Sequence, residues 1–585
     1  MSGGSGAAPS VGPGSHGRLT ARPEPRHHDE GEESSVTPNI LVRIAQQRRE
    51  RLAREGYWLS CAEPDGDSPA ARRSAGPVRF VPTGGVICEI KRRSPSRGDI
   101  SASLDPVQQA ALYRERGADA VSVLTEEDHF GGSLADLMDV KERFPELPAL
   151  RKDFLLDVED VRISARAGAD AVLLIAALLE PGQLAEMHAA AGELGMAALV
   201  EVHDEAEVEM VAALRPPLVG INARDLTSFR VDPLTPLRVR PAIDWPARVI
   251  YESGIFEAEQ AAVAARAGFD TVLVGEAVVR DPERIGRIRE GLGGVPVAGG
   301  ATGVGSDPAA GGAPGRGRIP VAGGTRSHNG VAGRQFWPAV AARLHRGLPL
   351  VKICGITNYA DAAEAVRLGA DFLGFVFADS PRRATPQVVR ECAGLDCLKV
   401  AVVVSEAVAD RGSPRAERRG EAATDESWPG EPATGGGSTA HRLPEGVAEL
   451  LADGVLDAVQ FHGEEAPEEC AALAFPYYKA LRLRTSAEVE RIDAYRCPRV
   501  LVDAFSHGAR GGTGKRLEPA IVEAVGERTA VWLAGGLNPE NVREAITRFR
   551  PELVDASSGL EAEPGRKDHA GLAGFFNEVR YARDL

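Results

Sequence analysis

The sequence predicts an α/β protein made of two successive (β/α)8 barrels, the TIM-barrel architecture, joined by a flexible linker. Apolar runs of strand length recur in two series of eight, and helical stretches separate most of the runs. This alternation of strand and helix is typical of a parallel sheet. A Gly/Ala/Pro/Ser tract without apolar periodicity divides the two series. Because a barrel of parallel strands carries its chemistry at the carboxyl ends of the strands, two barrels imply two active sites.

The composition narrows the functional class. The chain has 585 residues, 43% of them apolar, which is enough for more than one sizeable core. A formal net charge of -16 argues against a nucleic-acid partner but is compatible with small anionic substrates. The seven cysteines show no CxxC pair and no ligand spacing shared with histidines, so we expect reduced, mostly structural cysteines and no metal site. No long apolar run or signal peptide is present, so we expect a cytoplasmic protein without membrane contact.

The stretch before the first strand divides into three parts. Residues 1–38 are rich in Gly, Ser, Pro and charge, which predicts a disordered N-terminal tail. Residues 39–56 carry apolar side chains at helical spacing with a basic outer face, which predicts a helix. Residues 62–76 are loop-like again.

The first series predicts a barrel over residues 39–291. Its strand-like runs are GVICEIK, ADAVSVLTE, LPALRKD, ADAVLLIAA, MAALVEV, PLVGINAR, RVIYESG and FDTVLVGEA. Three runs directly follow a helix and a glycine, at Gly117, Gly168 and Gly268. A glycine at this place fits the end of a helix that precedes a strand.

The second series predicts a barrel over residues 348–585, after a Gly/Pro-rich linker at 292–347. Its runs are LVKICGIT, DFLGFVFA, LKVAVVV, AVQFHG, YYKALRL, RVLVDAF, VWLAGGL and ELVDASSG. A polar insertion at about 406–440 follows the third run, on the face that should carry the active site. Its composition predicts disorder, with a mobile lid as the alternative.

Strand ends of the first series carry ionisable and amide groups. Alternation places Glu89 and Lys91 on one face of the first strand, where a structural ion pair is the alternative to a functional role. The later strands end in Lys152, Glu201, Asn222, Arg224, Glu252 and Ser253. Packing alone does not account for so many polar groups at one rim.

The second series ends in a different set of residues. Alternation pairs Lys352 with Cys354, and a cysteine two residues from a lysine is in a setting that favours the thiolate. An inert, buried cysteine is the alternative. Asp503 ends the sixth strand and supplies an acid, while Arg382 offers a fork for a carboxylate. His462 either positions a substrate or is held by structural hydrogen bonds.

Glycine and serine residues near the last strands suit a phosphate, because backbone N–H groups bind it where the chain can approach closely. In the first series these are Gly254 and Gly275, the latter followed by Glu276, with Ser94 from the first loop. In the second they are Gly512, Gly535, Gly536, Ser557, Ser558 and Gly559. Each glycine taken alone is also compatible with a simple turn. The GGTGK segment at 511–515 has the wrong spacing for a nucleotide P-loop.

The segments EIKRRSPSRG, LRKDF, LVEVHDE, GINARDL and YESGI, in this order, resemble indole-3-glycerol phosphate synthase over roughly residues 39–290. The resemblance implies that Lys152 is the general acid and that Glu201 assists dehydration, with Glu89 close by. It also implies that Lys91 holds the substrate carboxylate, while Asn222, Glu252 and Ser253 orient the sugar and the leaving hydroxyl. Burial and nearby cations would lower the pKa of such a lysine, and a carboxylate partner would oppose that shift.

The segments KICGIT, GFVFADSPR, QFHGEE, LVDA, GGTGK, LAGGL and DASSGLE resemble phosphoribosylanthranilate isomerase over roughly residues 349–583. That reaction opens a ribose ring with an acid and then removes a proton from C2 with a base. The resemblance implies that Asp503 is the acid and Cys354 the base. It places Arg382 on the anthranilate carboxylate, with Asp555 nearby. The insertion at 406–440 departs from the usual pattern and could alter access to this site.

Together the two resemblances imply a bifunctional enzyme of tryptophan biosynthesis, because the product of the isomerase is the substrate of the synthase. We expect anthranilate phosphosugars as the only partners, no cofactor, and a monomer. Two alternatives differ in class. One barrel could have drifted to a related phosphosugar isomerisation, or one barrel could be an inactive binding module. Complete acid and base sets in both series count against both alternatives.

Overall fold

The computed structural model describes residues 40–62, 80, 82–94, 98–99, 103–226, 228–293, 335–344, 349–404, 443–503 and 519–582. The predicted tail at 1–38, most of the predicted linker, the 406–440 insertion and the GGTGK segment lie outside these residues. Within the described ranges, no helix is long and apolar enough to cross a membrane.

Eight parallel strands close the first barrel, as the sequence predicts. They are β1 (Gly85–Ile90), β4 (Ala120–Leu124), β5 (Ala149–Lys152), β6 (Ala171–Ile175), β7 (Ala197–Val202), β8 (Leu218–Asn222), β9 (Arg248–Glu252) and β10 (Thr271–Val274). Strand β1 pairs with both β4 and β10, which closes the sheet on itself. A small hairpin of β2 (Arg93–Ser94) and β3 (Gly98–Asp99) follows β1. Strands covered on both faces read as near-continuous apolar runs, which is why the sequence locates them.

Helices surround this barrel and precede it. They are α1 (Ile40–Glu55), α2 (Pro106–Glu115), α3 (Leu134–Arg143), α4 (Val158–Arg166), α5 (Pro181–Glu193), α6 (Glu205–Val211), α7 (Leu234–Val239), α8 (Ala258–Arg266), α9 (Glu276–Arg280) and α10 (Arg284–Gly291). Short 3-10 helices cover Ala176–Leu178 and Arg240–Ala242. Aspartates and a serine cap several of them, as where Asp157 accepts a hydrogen bond from the Asp160 amide at 3.0 Å. Such caps satisfy the first N–H groups of a helix.

Helix α1 lies against the C-terminal rim of the first barrel. Its Arg48 donates hydrogen bonds to Asp153 at 3.0 Å and to Asp160 at 2.7 Å, and all three side chains are buried. Leu41 and Ile44 pack with the inward-facing side chains of the strands. The helix predicted before the first strand therefore forms part of the barrel and borders its mouth.

The second barrel repeats the plan of the first. Its strands are β11 (Leu350–Cys354), β12 (Phe372–Val376), β13 (Leu398–Val403), β14 (Ala458–Phe461), β15 (Tyr477–Arg482), β16 (Val500–Asp503), β17 (Trp532–Ala534) and β18 (Leu553–Ala556), closed between β11 and β18. A hairpin of β19 (Glu561–Glu563) and β20 (Arg566–Lys567) follows. The helices are α11 (Phe336–Leu344), α12 (Tyr359–Leu368), α13 (Pro386–Glu391), α14 (Val447–Ala452), α15 (Pro467–Ala471), α16 (Pro519–Arg528), α17 (Val542–Phe549) and α18 (His569–Tyr581), with 3-10 helices at Cys392–Gly394, Ser486–Ala494 and Ser558–Leu560.

Helix α11 corrects the predicted linker at 292–347. Residues 336–344 are helical; Phe336 is buried against Phe372 and Tyr478, and Trp337 packs on Trp532. These partners stand at or next to the first residues of strands β12, β15 and β17, so the helix closes the N-terminal end of the second barrel. The Gly/Pro-rich composition upstream hides this short apolar helix, whose burial depends on aromatic partners far along the chain.

The two barrels touch with unlike faces. Arg499, which immediately precedes β16, forms a salt bridge of 2.7 Å with Asp232, which follows β8. Helix α11 also packs on α7 of the first barrel. The N-terminal face of the second barrel therefore borders the C-terminal rim of the first, and the second barrel's own C-terminal rim lies at its other end.

Candidate active sites

The first site is a cavity of about 1440 Å³ at the C-terminal rim of the first barrel. The cavity brings together nearly all the residues that the sequence predicts for this site: Glu89, Lys91, Lys152, Glu201, Asn222, Arg224, Glu252, Ser253, Gly254, Gly275 and Glu276. Ser94 is the exception; it lies in the hairpin strand β2, and its side chain is outside the described part of the chain. The outer part of the cavity is bordered by the second barrel, for example by Trp337 and Tyr477.

Lys152 lies between two carboxylates. Its Nζ is 2.9 Å from Glu201 Oε2 and 2.8 Å from Glu252 Oε2. Burial alone would lower the pKa of Lys152, but the charges of Glu201, Glu252 and Glu89 outweigh it and raise the pKa well above its usual value. Of the two opposing effects expected from the sequence, the carboxylates therefore dominate, and the lysine keeps its positive charge.

The pKa values of the two carboxyl groups that share Lys152 are shifted in opposite directions. Burial would raise the pKa of Glu201, but Lys152 and His203 lower it well below the usual value. Burial and the charge of Glu201 raise the pKa of Glu252 to about 8, despite the attraction of Lys152. Glu252 Oε1 is buried without a hydrogen-bond partner among the described residues. The surroundings therefore move the pKa values of the two carboxyl groups apart, that of Glu201 downward and that of Glu252 upward.

Two glycines make room for the carboxylates of this site. A Cβ on Gly220 would stand 1.9 Å from Glu252 Oε1, and a Cβ on Gly275 would stand 2.7 Å from Glu89 Oε1. Any larger residue would push these side chains away from the barrel wall. Gly275, which the sequence predicts as a phosphate ligand, thus also has a steric function.

Glu89 and Lys91 form the ion pair that alternation suggests. Burial would raise the pKa of Glu89, but Lys91 and Lys152 lower it. Both side chains line the cavity, so the ion pair can stabilise the barrel and also contact a substrate. Glu276 lies at the start of α9 and pairs with Arg280 at 2.9 Å.

His203 contacts a residue of this site, Glu201, although the sequence analysis does not identify it. Its Nε2 lies 3.3 Å from Glu201 Oε1, and its Nδ1 lies 3.0 Å from Glu207 Oε2. Burial would lower the pKa of His203, but the two carboxylates raise it to about 10. Since His203 follows Glu201 by two residues, strand alternation could have identified it.

The loop after β8 carries two predicted substrate-binding residues. Asn222 Oδ1 accepts a hydrogen bond from the Arg224 amide at 3.0 Å, and Arg224 Nη1 donates to the Phe229 carbonyl at 3.0 Å. After β9, Ser253 and Gly254 both have positive φ angles, 66° and 82°. That conformation is unusual for serine, and it turns the chain sharply at the rim of the cavity.

In the second barrel, Lys352 and Cys354 face the interior together, as the alternation predicts. Lys352 Nζ lies 2.5 Å from Asp555 Oδ2, and Lys352 is fully buried. The expected thiolate setting is wrong for the resting site, because burial and Asp555 raise the pKa of Cys354 more than Lys352 and Lys567 lower it. Lys352 forms an ion pair with Asp555, and the sequence around Cys354 does not reveal this partner.

Asp503 is held by a chain of hydrogen bonds across the inside of the barrel. His462 Nε2 lies 3.0 Å from Asp503 Oδ2, and His462 Nδ1 lies 2.8 Å from Gln460 Nε2. Tyr478 donates to Gln460 Oε1 at 2.9 Å. Because the amide nitrogen of Gln460 can only donate, this network assigns the proton of a neutral His462 to Nε2, which donates to Asp503.

Arg382 is engaged by a carboxylate of the chain itself. Its Nε donates to Glu561 Oε1 at 2.9 Å and its Nη2 donates to Glu561 Oε2 at 2.8 Å. Buried Lys567 also contacts Glu561, at 3.0 Å, and donates to the Cys354 carbonyl at 2.7 Å. Glu561 stands in the DASSGLE segment but was not singled out from the sequence, and Lys567 lies beyond it.

The predicted phosphate residues of the second barrel fall into two groups. Gly535 and Gly536 have positive φ angles of 105° and 66°, and a Cβ on Gly559 would stand 2.3 Å from the Leu537 carbonyl oxygen. Ser557 and Ser558 adjoin Gly559 at the end of β18. Gly512 lies outside the described residues. Within the described ranges, no group of three or more His, Cys, Asp or Glu side chains could hold a metal ion.

Comparisons with known proteins match each barrel to a family. The indole-3-glycerol phosphate synthase family model matches residues 80–290, and the N-(5'phosphoribosyl)anthranilate (PRA) isomerase family model matches residues 443–578. An indole-3-glycerol phosphate synthase of Nocardioides sp. is 43% identical over 260 residues, covering 44% of this chain and 97% of that protein.

Two relatives span both barrels. A tryptophan biosynthesis protein of Phytophthora nicotianae is 31% identical over 513 residues, covering 81% of this chain and 87% of that protein. A multifunctional tryptophan biosynthesis protein of Schizosaccharomyces pombe is 30% identical over 510 residues, covering 85% of this chain. The chain spans 59% of the length of the S. pombe protein.

Proposed function

We propose that this chain, which belongs to the family of tryptophan-biosynthesis proteins that join an indole-3-glycerol phosphate synthase to a phosphoribosylanthranilate isomerase, catalyses both reactions in succession. The C-terminal barrel isomerises N-(5-phosphoribosyl)anthranilate to 1-(2-carboxyphenylamino)-1-deoxyribulose 5-phosphate. The N-terminal barrel closes the indole ring of that product with loss of CO2 and water. The observation that carries the proposal is the pair of distinct acid–base sets, one at each C-terminal rim.

In the first site, Lys152 acts as the general acid. Ring closure joins the aromatic carbon that bears the carboxylate to the ribulose carbonyl carbon, and the carbonyl oxygen needs a proton as that bond forms. Glu201 and Glu252 keep Lys152 positively charged, so Lys152 can donate that proton. Loss of CO2 then returns the bonding electrons to the ring. Lys91, held by Glu89, binds the substrate carboxylate before it leaves.

The different protonation of Glu201 and Glu252 assigns the later steps. Ionised Glu201 serves as the base during dehydration, with the His203 imidazolium keeping it ionised and oriented. Glu252, whose pKa is raised, is the neutral carboxyl group of the pair and orients the sugar from beside Lys152. Two carboxyl groups whose surroundings move their pKa values apart commonly divide acid and base functions in this way.

We also propose where the substrate is anchored in the first site. The backbone N–H groups of Gly254 and Gly275, with Glu276 next to Gly275, form the phosphate corner of the first barrel, at the strands where such barrels commonly bind phosphate. We assign Ser94 to the same ligand. Asn222, Arg224 and Ser253 orient the sugar between this corner and Lys152.

In the second site, Asp503 donates a proton to the ribose ring oxygen as the ring opens. The hydrogen bond from His462 occupies Oδ2, so Oδ1 is the oxygen that carries the transferred proton. The ionised fraction of Cys354 then removes the proton from C2 of the resulting imine, and the thiolate becomes a thiol. Its raised pKa makes the thiolate a stronger base once formed, and buried Lys352 stabilises that charge.

Arg382 binds the anthranilate carboxylate, with Glu561 fixing the plane of the guanidinium. The glycine- and serine-rich segments at Gly512, Gly535–Gly536 and 557–559 hold the phosphate, and Asp555 stays paired with Lys352. No step in either barrel requires a metal or an organic cofactor, and we propose a cytoplasmic monomer that acts on anthranilate phosphosugars alone.

The proposal is tested by giving the purified chain each substrate separately. We expect indole-3-glycerol phosphate from the deoxyribulose compound and the deoxyribulose compound from phosphoribosylanthranilate. Failure of one reaction with the other intact would show that one barrel is an inactive module or acts on another phosphosugar. Light scattering of the same sample tests the monomer.

A further inference from the structure

The loop at residues 223–232 connects β8 to α7 and forms one side of the first cavity; we call it the substrate loop. It folds back on itself, since the Asp232 amide donates to the Ala223 carbonyl at 2.8 Å and the Asp225 amide donates to the Arg230 carbonyl at 2.8 Å. Arg224 and Val231 pair as an isolated bridge between its two arms. The two arms of the loop are thus tied to each other, and the predicted substrate ligand Arg224 lies on one of them.

Two hydrogen-bonding contacts from the second barrel hold this loop. Arg499 donates to both carboxylate oxygens of Asp232, at 2.7 Å and 2.9 Å, and its side chain is only 2% exposed. Arg230 Nη1 donates to the Gly526 carbonyl of the second barrel at 2.9 Å. Both contacts fall on the returning arm of the loop.

Arg499 is itself fixed from the other side. Its Nε and Nη2 donate to Glu552 at 2.5 Å and 2.8 Å, and Trp532 Nε1 donates to the same carboxylate at 2.7 Å. These partners belong to the floor of the second barrel. The guanidinium therefore presents its free edge to Asp232 in a preset orientation, which lowers the entropy lost when the pair forms.

The position of the returning arm matters inside the cavity. Val231, next to Asp232, lies so close that a Cβ on Gly254 would be 3.0 Å from its Cγ1. Phe229 supplies the carbonyl that holds the Arg224 guanidinium at 3.0 Å. A shift of this arm would therefore change both the proposed phosphate corner and a proposed substrate ligand.

We propose that Arg499 of the isomerase barrel is a positioning residue for the synthase site, because it holds the substrate loop through Asp232. This inference rests on the synthase activity proposed for the first barrel. It makes the synthase depend on the surface of the second barrel but not on the isomerase reaction, whose site lies at the opposite end of that barrel.

The variant Asp232→Asn tests the inference. Asparagine keeps the oxygen that caps the Leu234 amide at 2.9 Å, and Arg499 keeps Glu552, so no buried charge is left unpaired. We expect the KM of the synthase for the deoxyribulose substrate to rise roughly 2- to 30-fold, the range in which residues remote from a ligand change its binding. The synthase kcat should change less, and the isomerase kcat/KM should stay the same.

Arg496→Met is the matched control. Arg496 forms a second ion pair between the barrels, with Glu257 at 2.6 Å; this pair lies at the start of α8, on the outer border of the cavity, and not on the substrate loop. It should change the synthase KM less than Asp232→Asn does. Arg499→Met should reproduce the effect of Asp232→Asn, and the double variant should add nothing to the larger single effect.

Other outcomes overturn the inference. An unchanged KM in Asp232→Asn, or an equal rise in Arg496→Met, would show that the loop needs no support from Arg499. A parallel loss of isomerase activity in Asp232→Asn would mean general destabilisation. A wild-type chain without synthase activity would instead contradict the proposed function itself, so the two failures are distinguishable.

Discussion

Both barrels place a lysine beside a buried carboxylate, but at different depths. Lys152 is the last residue of β5, and its side chain is 14% exposed between Glu201 and Glu252. Lys352 lies in the middle of β11, its side chain is fully buried, and it pairs with Asp555. In each barrel one oxygen of such a carboxylate, Glu252 Oε1 or Asp555 Oδ1, is buried without a hydrogen-bond partner among the described residues.

The difference in depth shows how one architecture supports two chemistries. In the proposed mechanism, the lysine at the strand end reaches the substrate and acts as an acid. A lysine two residues deeper cannot reach it, and the strand-end position falls to Cys354. In the proposed mechanism, the deeper lysine stabilises the negative charge of the Cys354 thiolate. The lysine–carboxylate pair of the second barrel therefore supports a neighbouring catalytic group and does not act on the substrate itself.

Removing the Lys152 side chain should cause the largest difference between the synthase and isomerase activities. Lys152→Ala should lower the synthase kcat by about 10²- to 10⁴-fold, the usual contribution of a general acid. The isomerase rate should be unchanged, because none of its described groups contacts Lys152. Loss of both activities in separate steady-state assays would contradict independent sites.

Substitutions in the second barrel should have the opposite effect, loss of the isomerase activity with the synthase activity retained. Cys354→Ala and Asp503→Ala should each lower the isomerase rate by about 10²- to 10⁴-fold and leave the synthase intact. Assays with phosphoribosylanthranilate and with the deoxyribulose substrate measure the two rates. A cysteine variant that retained full isomerase activity would identify Cys354 as an inert buried residue.

The raised pKa of Glu252 predicts a pH effect on the synthase reaction. The raised pKa of Glu252, about 8, means that the wild-type carboxyl loses its proton as the pH rises through that value. The synthase kcat/KM should therefore fall above about pH 8. Glu252→Gln keeps a neutral donor, so it should lose less activity than Glu201→Gln and lack this decline. A pH profile of Glu252→Gln identical to that of the wild type would assign the decline to another group.

The smallest effect concerns the support of Arg382. Glu561→Gln should raise the isomerase KM by about fivefold, as expected for loss of a partly exposed ion pair, with a smaller change in kcat. An analogue made with aniline, which lacks the carboxylate, is the matched control. Its KM should not respond to the substitution, and an equal response would mean that Glu561 acts on the fold of the site instead.

Much of this comparison follows from the sequence. All sixteen strand-like runs form strands in two closed barrels, because strands buried on both faces are apolar throughout. The residues at strand ends are equally predictable, since topology alone brings them to one rim. Helix α11 was missed because its burial depends on Phe372, Tyr478 and Trp532 rather than on local pattern.

Partners across the barrel were harder to predict. The pKa of Cys354 depends on burial and on Asp555 more than on the lysine two residues away. Arg382 finds Glu561 179 positions later, and Arg499 finds Asp232 on the other barrel. Such pairs are set by tertiary packing, which spacing along the chain does not report.

The central claim is that two different sites on one chain act in sequence, and a mixing experiment tests it directly. Wild-type protein given phosphoribosylanthranilate should form the deoxyribulose intermediate first and indole-3-glycerol phosphate after it. Lys152→Ala alone should stop at the intermediate, and Cys354→Ala alone should leave the starting compound unconverted. An equal mixture of the two variants should restore indole-3-glycerol phosphate. A mixture that fails to form it, although each variant retains its other activity, would contradict the account.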